Sequence, residues 1–135
     1  MSEERENACA QADALMDVFG FKRVVGDRKL LVLAAMAAGI KIVDCGCLYE
    51  EWPFKYAEGQ GRRGHWNPLT DDGDALRLAV KLELVFEYRR QANSCFVYHY
   101  ATSLEVVQST REYDTAAACR RAIVRAAARI GGNMK

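Results

Sequence analysis

The sequence predicts an α+β domain in which a small antiparallel sheet of three to five strands packs against helices. Apolar residues recur with the helical period in four segments, whereas from Leu82 to Tyr113 they alternate with a period of two. The chain has 135 residues, of which 50% are hydrophobic and 27% are charged, as in an ordinary globular protein. We therefore expect a single domain spanning residues 1–135, in the order helix, helix, strand, loop, helix, three strands, helix.

Two helices are predicted before the first strand. Residues 3 to 19 place apolar side chains on one helical face, and Gly20 follows as a helix stop. A second helix is predicted from its cap residue, Asp27, to about Ala38, and Gly39 is suited to end it. Leucines, a methionine and alanines leave this second helix little polar surface, so we expect it to be largely buried.

A short strand and a long irregular segment are predicted next. Residues 40 to 43 have the apolar composition of a strand. Residues 44 to 65 contain Pro53 and several glycines, which argue against continuous secondary structure. Since structureless connections longer than about 12 to 15 residues are uncommon, we allow one short strand between Leu48 and Tyr56.

The segment from Trp66 to Leu82 combines a rigid turn with a strong helix start. Pro68 disfavours a helical conformation at the residue before it. Thr70 or Asp71 can cap a helix that begins within the next two residues. Asp74 then completes a weak capping box, and the early carboxylates complement the helix dipole.

Three strands and a closing helix account for the remaining chain. Alternating apolar stretches, separated by polar turns at residues 90 to 94 and 101 to 103, predict an antiparallel meander. The final helix is capped by Asp114 and carries an apolar stripe as far as the pair Gly131-Gly132. The opposite helical face bears Arg121, Arg125 and Arg129.

The charge and the cysteine content narrow the functional classes. With 19 basic and 18 acidic residues the formal net charge is +1, so no global field holds the protein on nucleic acid or an anionic membrane. An odd number of scattered cysteines and an acidic N-terminus without an apolar leader fit a reducing cytoplasm. The longest mostly apolar run, Leu30 to Ala38, is shorter than the roughly 20 residues that span a bilayer. We expect a cytoplasmic protein without a membrane partner.

Three segments resemble a family of small uncharacterised phage and prophage proteins. They are Leu30 to Ile42, Trp66 to Leu82 and Arg120 to Gly131, and the middle one follows the family pattern W-N-P-L-T-D-x-x-D-A-L-R-L-A-V-K-L. The family is described as a phage α-β-α sandwich domain, and the related NinX proteins share the pattern more loosely. The resemblance implies a sandwich-like arrangement of helices around a short sheet and a phage or prophage origin. The family has no assigned chemical activity, so the resemblance does not predict one.

The chain departs from this family pattern in two places. Residues 1–26 look like an added N-terminal helix, and residues 44–65 form an irregular insertion that contains cysteines and glycines. A function particular to this chain is therefore expected in the additions.

Cysteines and a histidine raise the question of zinc. Cys45, Cys47, His65 and Cys95 supply suitable ligands, but structural zinc sites usually have two paired knuckles, and the second knuckle is missing. We therefore expect reduced cysteines, no metal and no cofactor.

Three aspartates near the third helix are candidates for a divalent-cation site or for acid/base carboxylates. The order Asp71, Asp72, Asp74 does not match a calcium loop, and no neighbouring His or Lys completes a catalytic set, so helix capping is preferred. A hydrolase triad is not expected because the sequence has no nucleophile elbow of the Gly-x-Ser-x-Gly type. We therefore expect no catalytic residues.

The insertion supplies the candidate binding residues. Its glycine-rich, basic stretch from Gly59 to His65 is expected first of all to be a mobile, solvated loop. It can also cradle an anion, although it lacks the ending of a P-loop. Its aromatic side chains offer anchors for a protein partner, or else cover one face of the sheet. The predicted partner contacts are Trp52, Phe54, Tyr56, Arg62, Arg63 and His65. The predicted anion contacts are Arg121, Arg125 and Arg129.

Together these patterns predict a non-enzymatic phage or prophage accessory protein that binds a macromolecule of the bacterial host, most simply a host protein, for host modulation or counter-defence. One alternative is a module that binds a small anionic ligand or nucleotide under the loop from Gly59 to His65. Another is a nucleic-acid-binding protein that uses Arg62, Arg63 and the closing helix, although the near-neutral charge counts against it. An exposed sheet edge and an aromatic patch also invite a homodimer.

Overall fold

The computed structural model describes residues 22–46, 53–59, 61 and 64–134. Within these residues the chain forms three α-helices and two antiparallel sheets, of two and three strands. The α+β prediction is confirmed. The helices are α1 (Lys22–Ala38), α2 (Asp72–Lys81) and α3 (Thr115–Gly132), and the strands are β1 (Ile42–Asp44), β2 (Phe54–Tyr56), β3 (Val85–Arg89), β4 (Ser94–His99) and β5 (Leu104–Ser109). The helix predicted over residues 3 to 19 lies outside the described residues.

Helix α1 begins earlier than the sequence predicts. Asp27, the predicted cap, lies inside a helix that already includes Lys22. The Asp27 carboxylate instead accepts two hydrogen bonds from Arg121 on α3, at 2.9 and 3.0 Å. Packing of α1 against α3 thus overrides the weak helix propensity of Gly26 and of the valines before it. Residues 22–26 are therefore part of α1 and not of a separate N-terminal helix.

Helix α3 is the central element of the fold. Its buried side is rich in alanine and packs against the alanines of α1. At Gly131 a methyl group would overlap the carbonyl oxygen of Leu33, so the helices approach too closely there for any side chain. Near the other end of α3, Arg120 donates to the Leu69 carbonyl at 2.8 Å and pairs with Asp72 at 2.6 Å. These contacts tie the start of α2 to the same helix.

Strands β3, β4 and β5 form the predicted meander, in that spatial order. Each of the two hairpins has a four-residue turn that ends in a left-handed residue, Asn93 or Ser103. Cys95, Val97 and Val106 are buried on the face against which α3 packs. The core of the domain therefore lies between this face and the helices.

The opposite face of the sheet has no helix over it within the described residues. Helices α1 and α2 pack chiefly on α3, and the described side chains of the opposite face are exposed or half-buried. The α-β-α sandwich implied by the family resemblance needs a helix there, so the sandwich stays a prediction. None of the helices in the described part of the chain combines the length and the apolar character that a bilayer span requires.

The segment predicted as an irregular insertion is partly regular, and both predicted short strands are present. β1 and β2 pair antiparallel, with Ile42 opposite Tyr56. On the other side of β2, the N–H of Tyr56 donates to the Gly64 carbonyl and the N–H of Trp66 to the Phe54 carbonyl, both at 3.0 Å. In a strand of three residues the alternation of apolar and polar side chains is too short to predict the bounds of the strand or its pairing register.

Candidate functional site

The turn from Trp66 to Asp74, which we call the signature turn, is held by its own polar groups. Trp66 is 1% exposed and Asn67 is 4% exposed. The Asp71 carboxylate accepts from the N–H of Asp74 at 2.8 Å, which confirms Asp71 as the cap of α2. The Asp74 carboxylate accepts from the N–H of Asn67 at 2.9 Å and from Arg77 at 2.7 Å. Its side chain therefore closes the turn and does not form the predicted capping box with Asp71.

The aspartates of the signature turn do not converge on one position. Asp71 caps α2, Asp72 pairs with Arg120 on α3, and Asp74 is engaged by a backbone N–H and a guanidinium. Across the described ranges, no group of three or more His, Cys, Asp or Glu side chains is arranged to hold a metal ion. Capping by Asp71, the ion pair of Asp72 with α3 and turn closure by Asp74 account for all three carboxylates.

Phe54, a predicted partner contact, is a core residue. Its side chain is 6% exposed, and the guanidinium carbon of Arg28 lies 4.8 Å from the ring centroid. Arg28 also pairs with Asp44 on the neighbouring strand at 2.6 Å. Because the ring is covered in this way, Phe54 does not belong to an exposed binding surface, which corrects the prediction for this residue.

Tyr56 lies half-buried against the same core and interacts with Arg77. The pKa of Arg77 is raised, first by its hydrogen bond to Asp74 and further by the charge of Asp74 and by Tyr56. Tyr56 therefore lies near Arg77 and the signature turn.

His65 is exposed and pairs through its backbone with Lys55, beside β2. The preceding Gly64 has a φ of 98°, which L side chains rarely adopt, so backbone geometry explains this glycine without an anion. Trp52, Arg62 and Arg63 lie outside the described residues. Their role in partner binding stays a prediction.

Arg121, the first of the predicted anion contacts, is committed to a contact between helices. It forms the two hydrogen bonds to Asp27, and its guanidinium carbon lies 4.8 Å from the ring centroid of Tyr113. Its side chain is 14% exposed. Arg121 therefore joins α3 to α1.

Arg125 and Arg129, which we call the edge arginines, lie along the outer edge of β5. Arg125 donates to the Val107 carbonyl at 3.0 Å and to the side chain of Gln108 at 2.9 Å. Arg129 donates to the Glu105 carbonyl at 3.4 Å. The sequence places these arginines on a polar helical face, but only the packing of α3 on the sheet brings them to a strand edge.

The electrostatics of the three predicted anion contacts, Arg121, Arg125 and Arg129, argue against an anion site. The pKa of Arg125 is lowered, first by burial and then by the charges of Arg121 and Arg129. An anion would meet cations that already bind protein groups, and those bonds would have to be replaced. The nucleic-acid interpretation loses the support of Arg121 and Arg125 for the same reason. Arg129, with one long contact, is the more accessible cation.

A cleft of about 480 Å³ opens beside Arg129, between the turn from β4 to β5 and the C-terminal end of α3. Its volume falls within the range of small-molecule sites, about 300–1,000 Å³. Its polar lining comprises Thr102, Ser103, Glu105, Arg129 and Asn133. Sequence reasoning missed it because its walls come from two segments that are distant in the chain.

The outer face of the three-stranded sheet, which we call the open face, carries apolar side chains. Val85 and Val107 are 44% and 46% exposed. Phe96 and Tyr98 lie half-buried on the strand between them, where the register sets Val85 opposite Tyr98 and Phe96 opposite Val107. The alternation in the sequence shows that Phe96 and Tyr98 share a face, but not that this face is the outer one.

A cation covers one part of the open face. The guanidinium carbon of Arg89 lies 4.4 Å from the ring centroid of Phe96, and Arg89 pairs with Glu87 at 2.7 Å. The hydrogen bond from Arg89 lowers the pKa of Glu87, so this carboxylate stays ionised at neutral pH. The open face thus has an apolar centre and a charged border.

Cys95 and Cys119 are free thiols in contact between β4 and α3. Burial raises the pKa of Cys95 to about 12, and the hydrogen bond and charge of Cys119 act in the same direction. Such a thiol stays protonated at neutral pH and is a poor nucleophile or metal ligand. Cys45 is disulfide-bonded, so the expectation of reduced cysteines is wrong for this residue. A cytoplasmic location stays a prediction.

Comparisons of the chain with protein-family models, with curated proteins and with solved structures find no match. The resemblance to phage proteins therefore stays an expectation drawn from the residue pattern. The function has to be inferred from the surfaces just described.

Proposed function

We propose that this protein is a non-enzymatic accessory protein of a phage or prophage that binds a bacterial host protein through the open face of its sheet. The phage setting is supported by the residue pattern of Trp66 to Leu82 and its two companion segments. The binding mode is supported by one observation. Val85 and Val107 are 44% and 46% exposed on a sheet face that no described helix covers.

The open face has the composition of a protein interface. Aromatic and Arg side chains are enriched at the centres of such interfaces, and charged residues concentrate at their rims. Phe96 and Tyr98 lie in the centre, and the pair of Arg89 and Glu87 lies at the border. Because the side chains stand on a hydrogen-bonded sheet, they lose little conformational entropy when a partner binds.

A paired charge substitution tests this function. Val85→Lys/Val107→Lys puts two cations on the open face at positions exposed enough to leave the fold intact. Leu76→Lys/Val80→Lys on α2 is the matched control, because these residues are 56% and 69% exposed and receive the same charges. We expect wild type and control to capture the same protein from bacterial lysate. The purified face variant should bind that protein about tenfold more weakly or worse.

Three results would contradict the proposal. Equal binding of the captured protein by all three chains would place the interface elsewhere. Turnover of a small molecule by the purified chain would contradict a non-enzymatic role. The third result is that Val85→Lys/Val107→Lys lowers the thermal stability but binds the captured protein as wild type does. It would mean that residues of the same chain, outside those described, cover the open face.

The cleft beside Arg129 favours a second candidate function, the binding of a small anionic ligand. Arg129 is exposed and its hydrogen bond to the Glu105 carbonyl is long, 3.4 Å, so the guanidinium can turn to a carboxylate or phosphate. Thr102 and Asn133 add polar groups to the same cleft. The Glu105 carboxylate disfavours a highly charged anion there and favours a ligand that also carries a hydrogen-bond donor.

Thermal unfolding with inorganic phosphate, nucleotides and dicarboxylates tests the cleft. A ligand present at a hundredfold excess over its dissociation constant adds about 2.7 kcal/mol to the free energy of unfolding. We expect Arg129→Gln to abolish this stabilisation, and Arg90→Gln, on the exposed turn after β3, to preserve it. Stabilisation that survives Arg129→Gln would exclude the cleft.

A further inference from the structure

The backbone hydrogen bonds show which groups point outward at each edge of the three-stranded sheet. The N–H of Thr110 donates to the Asn93 carbonyl at 2.9 Å, one step beyond the pair of Ser94 and Ser109. Hydrogen-bonded pairs alternate along an antiparallel ladder, so β4 bonds β5 through its odd-numbered residues and β3 through its even-numbered ones. The outward backbone groups are therefore those of Glu105 and Val107 on β5, and of Phe86 and Tyr88 on β3.

The edge at β5 is closed by side chains. Arg125 donates to the outward carbonyl of Val107 at 3.0 Å, and Arg129 to that of Glu105 at 3.4 Å. Cationic side chains along an edge strand are also a common device against pairing with another strand. A further strand therefore cannot add to this edge without displacing both edge arginines.

The edge at β3 is open. No described side chain donates to its outward carbonyls, and all five residues of the strand are exposed. Phe86 and Tyr88 are 46% and 40% exposed although the register puts them on the same face as Val97 and Cys95. Helix α3 packs chiefly on β4 and β5, so among the described residues nothing covers this aromatic pair or pairs with the strand edge beside it.

We propose that β3 pairs antiparallel with β3 of a second copy of this chain, about a two-fold axis at Phe86, to make one sheet of six strands. This interface does not depend on the proposed host partner. The two Phe86 residues exchange two backbone hydrogen bonds, and each N–H of Tyr88 donates to the Leu84 carbonyl of the other copy. The N–H of Leu84 is already used, since it donates to the Ala79 carbonyl at 2.8 Å. A centre at Tyr88 is excluded because the turn at Arg90–Ala92 ends the extended backbone.

Charge selects the centre at Phe86 over a centre at Glu87. The latter would set the two Glu87 carboxylates directly opposite each other, which destabilises a strand pair. With the centre at Phe86, each Glu87 faces Val85 of the other copy and keeps its 2.7 Å pair with Arg89. A net charge of +1 per chain adds little repulsion between copies.

Sedimentation equilibrium of the full chain tests the interface. At about 100 µM, where a dimer with a dissociation constant below about 10 µM is mostly assembled, the average mass of wild type should approach twice the 15.1 kDa of one chain. Phe86→Lys/Tyr88→Lys puts cations on the open edge, and we expect its dissociation constant to rise about a hundredfold or more. Leu76→Lys/Val80→Lys makes the same charge change on α2 and should remain dimeric.

Amide hydrogen exchange of the wild-type chain gives a second readout that needs no variant. The amide hydrogens of Phe86 and Tyr88 should exchange more slowly as the chain concentration rises, because dimerisation buries them in backbone hydrogen bonds. Those of Glu105 and Val107 point outward at the closed edge and should not change.

A wild-type chain that stays monomeric at this concentration overturns the proposal. So does a dimer whose dissociation constant is the same in Phe86→Lys/Tyr88→Lys, once circular dichroism shows that this variant is folded. Glu87→Gln tests the register. A dissociation constant that is unchanged supports the centre at Phe86, whereas a dimer strengthened about tenfold or more would move the centre to Glu87.

Discussion

Asp74 is a buried carboxylate whose partners lie on both sides of one turn. It accepts from the N–H of Asn67 before α2 and from Arg77 one turn into the helix. A buried carboxylate needs both a cation and hydrogen bonds to offset its desolvation, and this position has them. The residue pattern from Trp66 to Leu82 is thus explained at Asp74 by local chemistry.

Replacing Asp74 by Ala should destabilise the protein by about 2–4 kcal/mol, because it leaves the buried N–H of Asn67 without its acceptor and removes the nearest carboxylate from Arg77. Asp74→Asn retains an oxygen for the N–H of Asn67 and should cost less. Urea unfolding monitored by circular dichroism measures both variants. A loss below about 1 kcal/mol in Asp74→Ala would show that water or another group replaces the carboxylate.

Cys95 makes the stability depend on pH in the alkaline range. Burial, and then Cys119, raises its pKa to about 12 in the folded chain, whereas an exposed thiol has a pKa of about 8.5. The folded form keeps its proton where the unfolded form has lost it. The stabilisation is therefore fully present below pH of about 8.5 and is lost as the pH rises toward about 12.

Unfolding by urea at pH 8 and pH 10 tests this linkage. Between the two values, wild type should lose about 1–2 kcal/mol more of its free energy of unfolding than Cys95→Ala does. The comparison cancels the titration of tyrosines and lysines that both proteins share. Parallel pH dependences for the two proteins would contradict a raised pKa at Cys95.

At the level of elements, the pairing of α1 with α3 depends on small residues. Alanines on both helices allow a close approach, and Gly131 lies where the backbones nearly touch. Asp27 and Arg121 join the same two helices at another point by an ion pair. Packing and charge therefore fix the position of α1 along α3.

Gly131→Ala should destabilise the protein by about 3 kcal/mol, because the added methyl group overlaps the Leu33 carbonyl and the helices must separate. Gly132→Ala is the matched control. Nothing lies near a side chain at Gly132, and Ala suits a helix better than Gly by up to about 1 kcal/mol. Thermal unfolding should thus shift in opposite directions for the two variants, and equal shifts would contradict the close approach at Gly131.

At the level of the whole molecule, one hydrophobic core includes residues from all three helices and from both sheets. A shared core predicts a single cooperative unfolding transition. Trp66 is 1% exposed, so in a Trp52→Phe chain, where it is the single tryptophan, its fluorescence reports on the core while far-ultraviolet circular dichroism reports on the helices. The two transitions should have the same midpoint in urea. Separate midpoints would mean that the small sheet unfolds independently.

Local signals in the sequence account for most of the fold of the described residues. Asp71 and Asp114 cap helices where the sequence predicts caps, because capping involves residues within one turn. The meander also follows from alternation and polar turns. The start of α1 could not be predicted, since the ion pair between Asp27 and Arg121 joins residues far apart in the chain.

The candidate surfaces were harder to predict than the fold. A period of two says that Phe96 and Tyr98 share a face, but α3 decides that Cys95 and Val97 are the buried pair. The burial of Phe54 under Arg28 likewise depends on contacts between elements. Residue types indicate what chemistry is possible, whereas their exposure is set by tertiary packing.

The edge arginines have a consequence for how large an assembly of this chain can become. A sheet with two open edges can recruit copy after copy into a filament, as in amyloid growth. Here Arg125 and Arg129 occupy the outward carbonyls of β5, so strand addition is restricted to the β3 side. When two copies pair at β3 about a two-fold axis, the open edge of each copy is used. Only the two closed β5 edges then remain, so the assembly stops at two copies. A helix that stabilises the sheet from one face thereby also terminates its polymerisation.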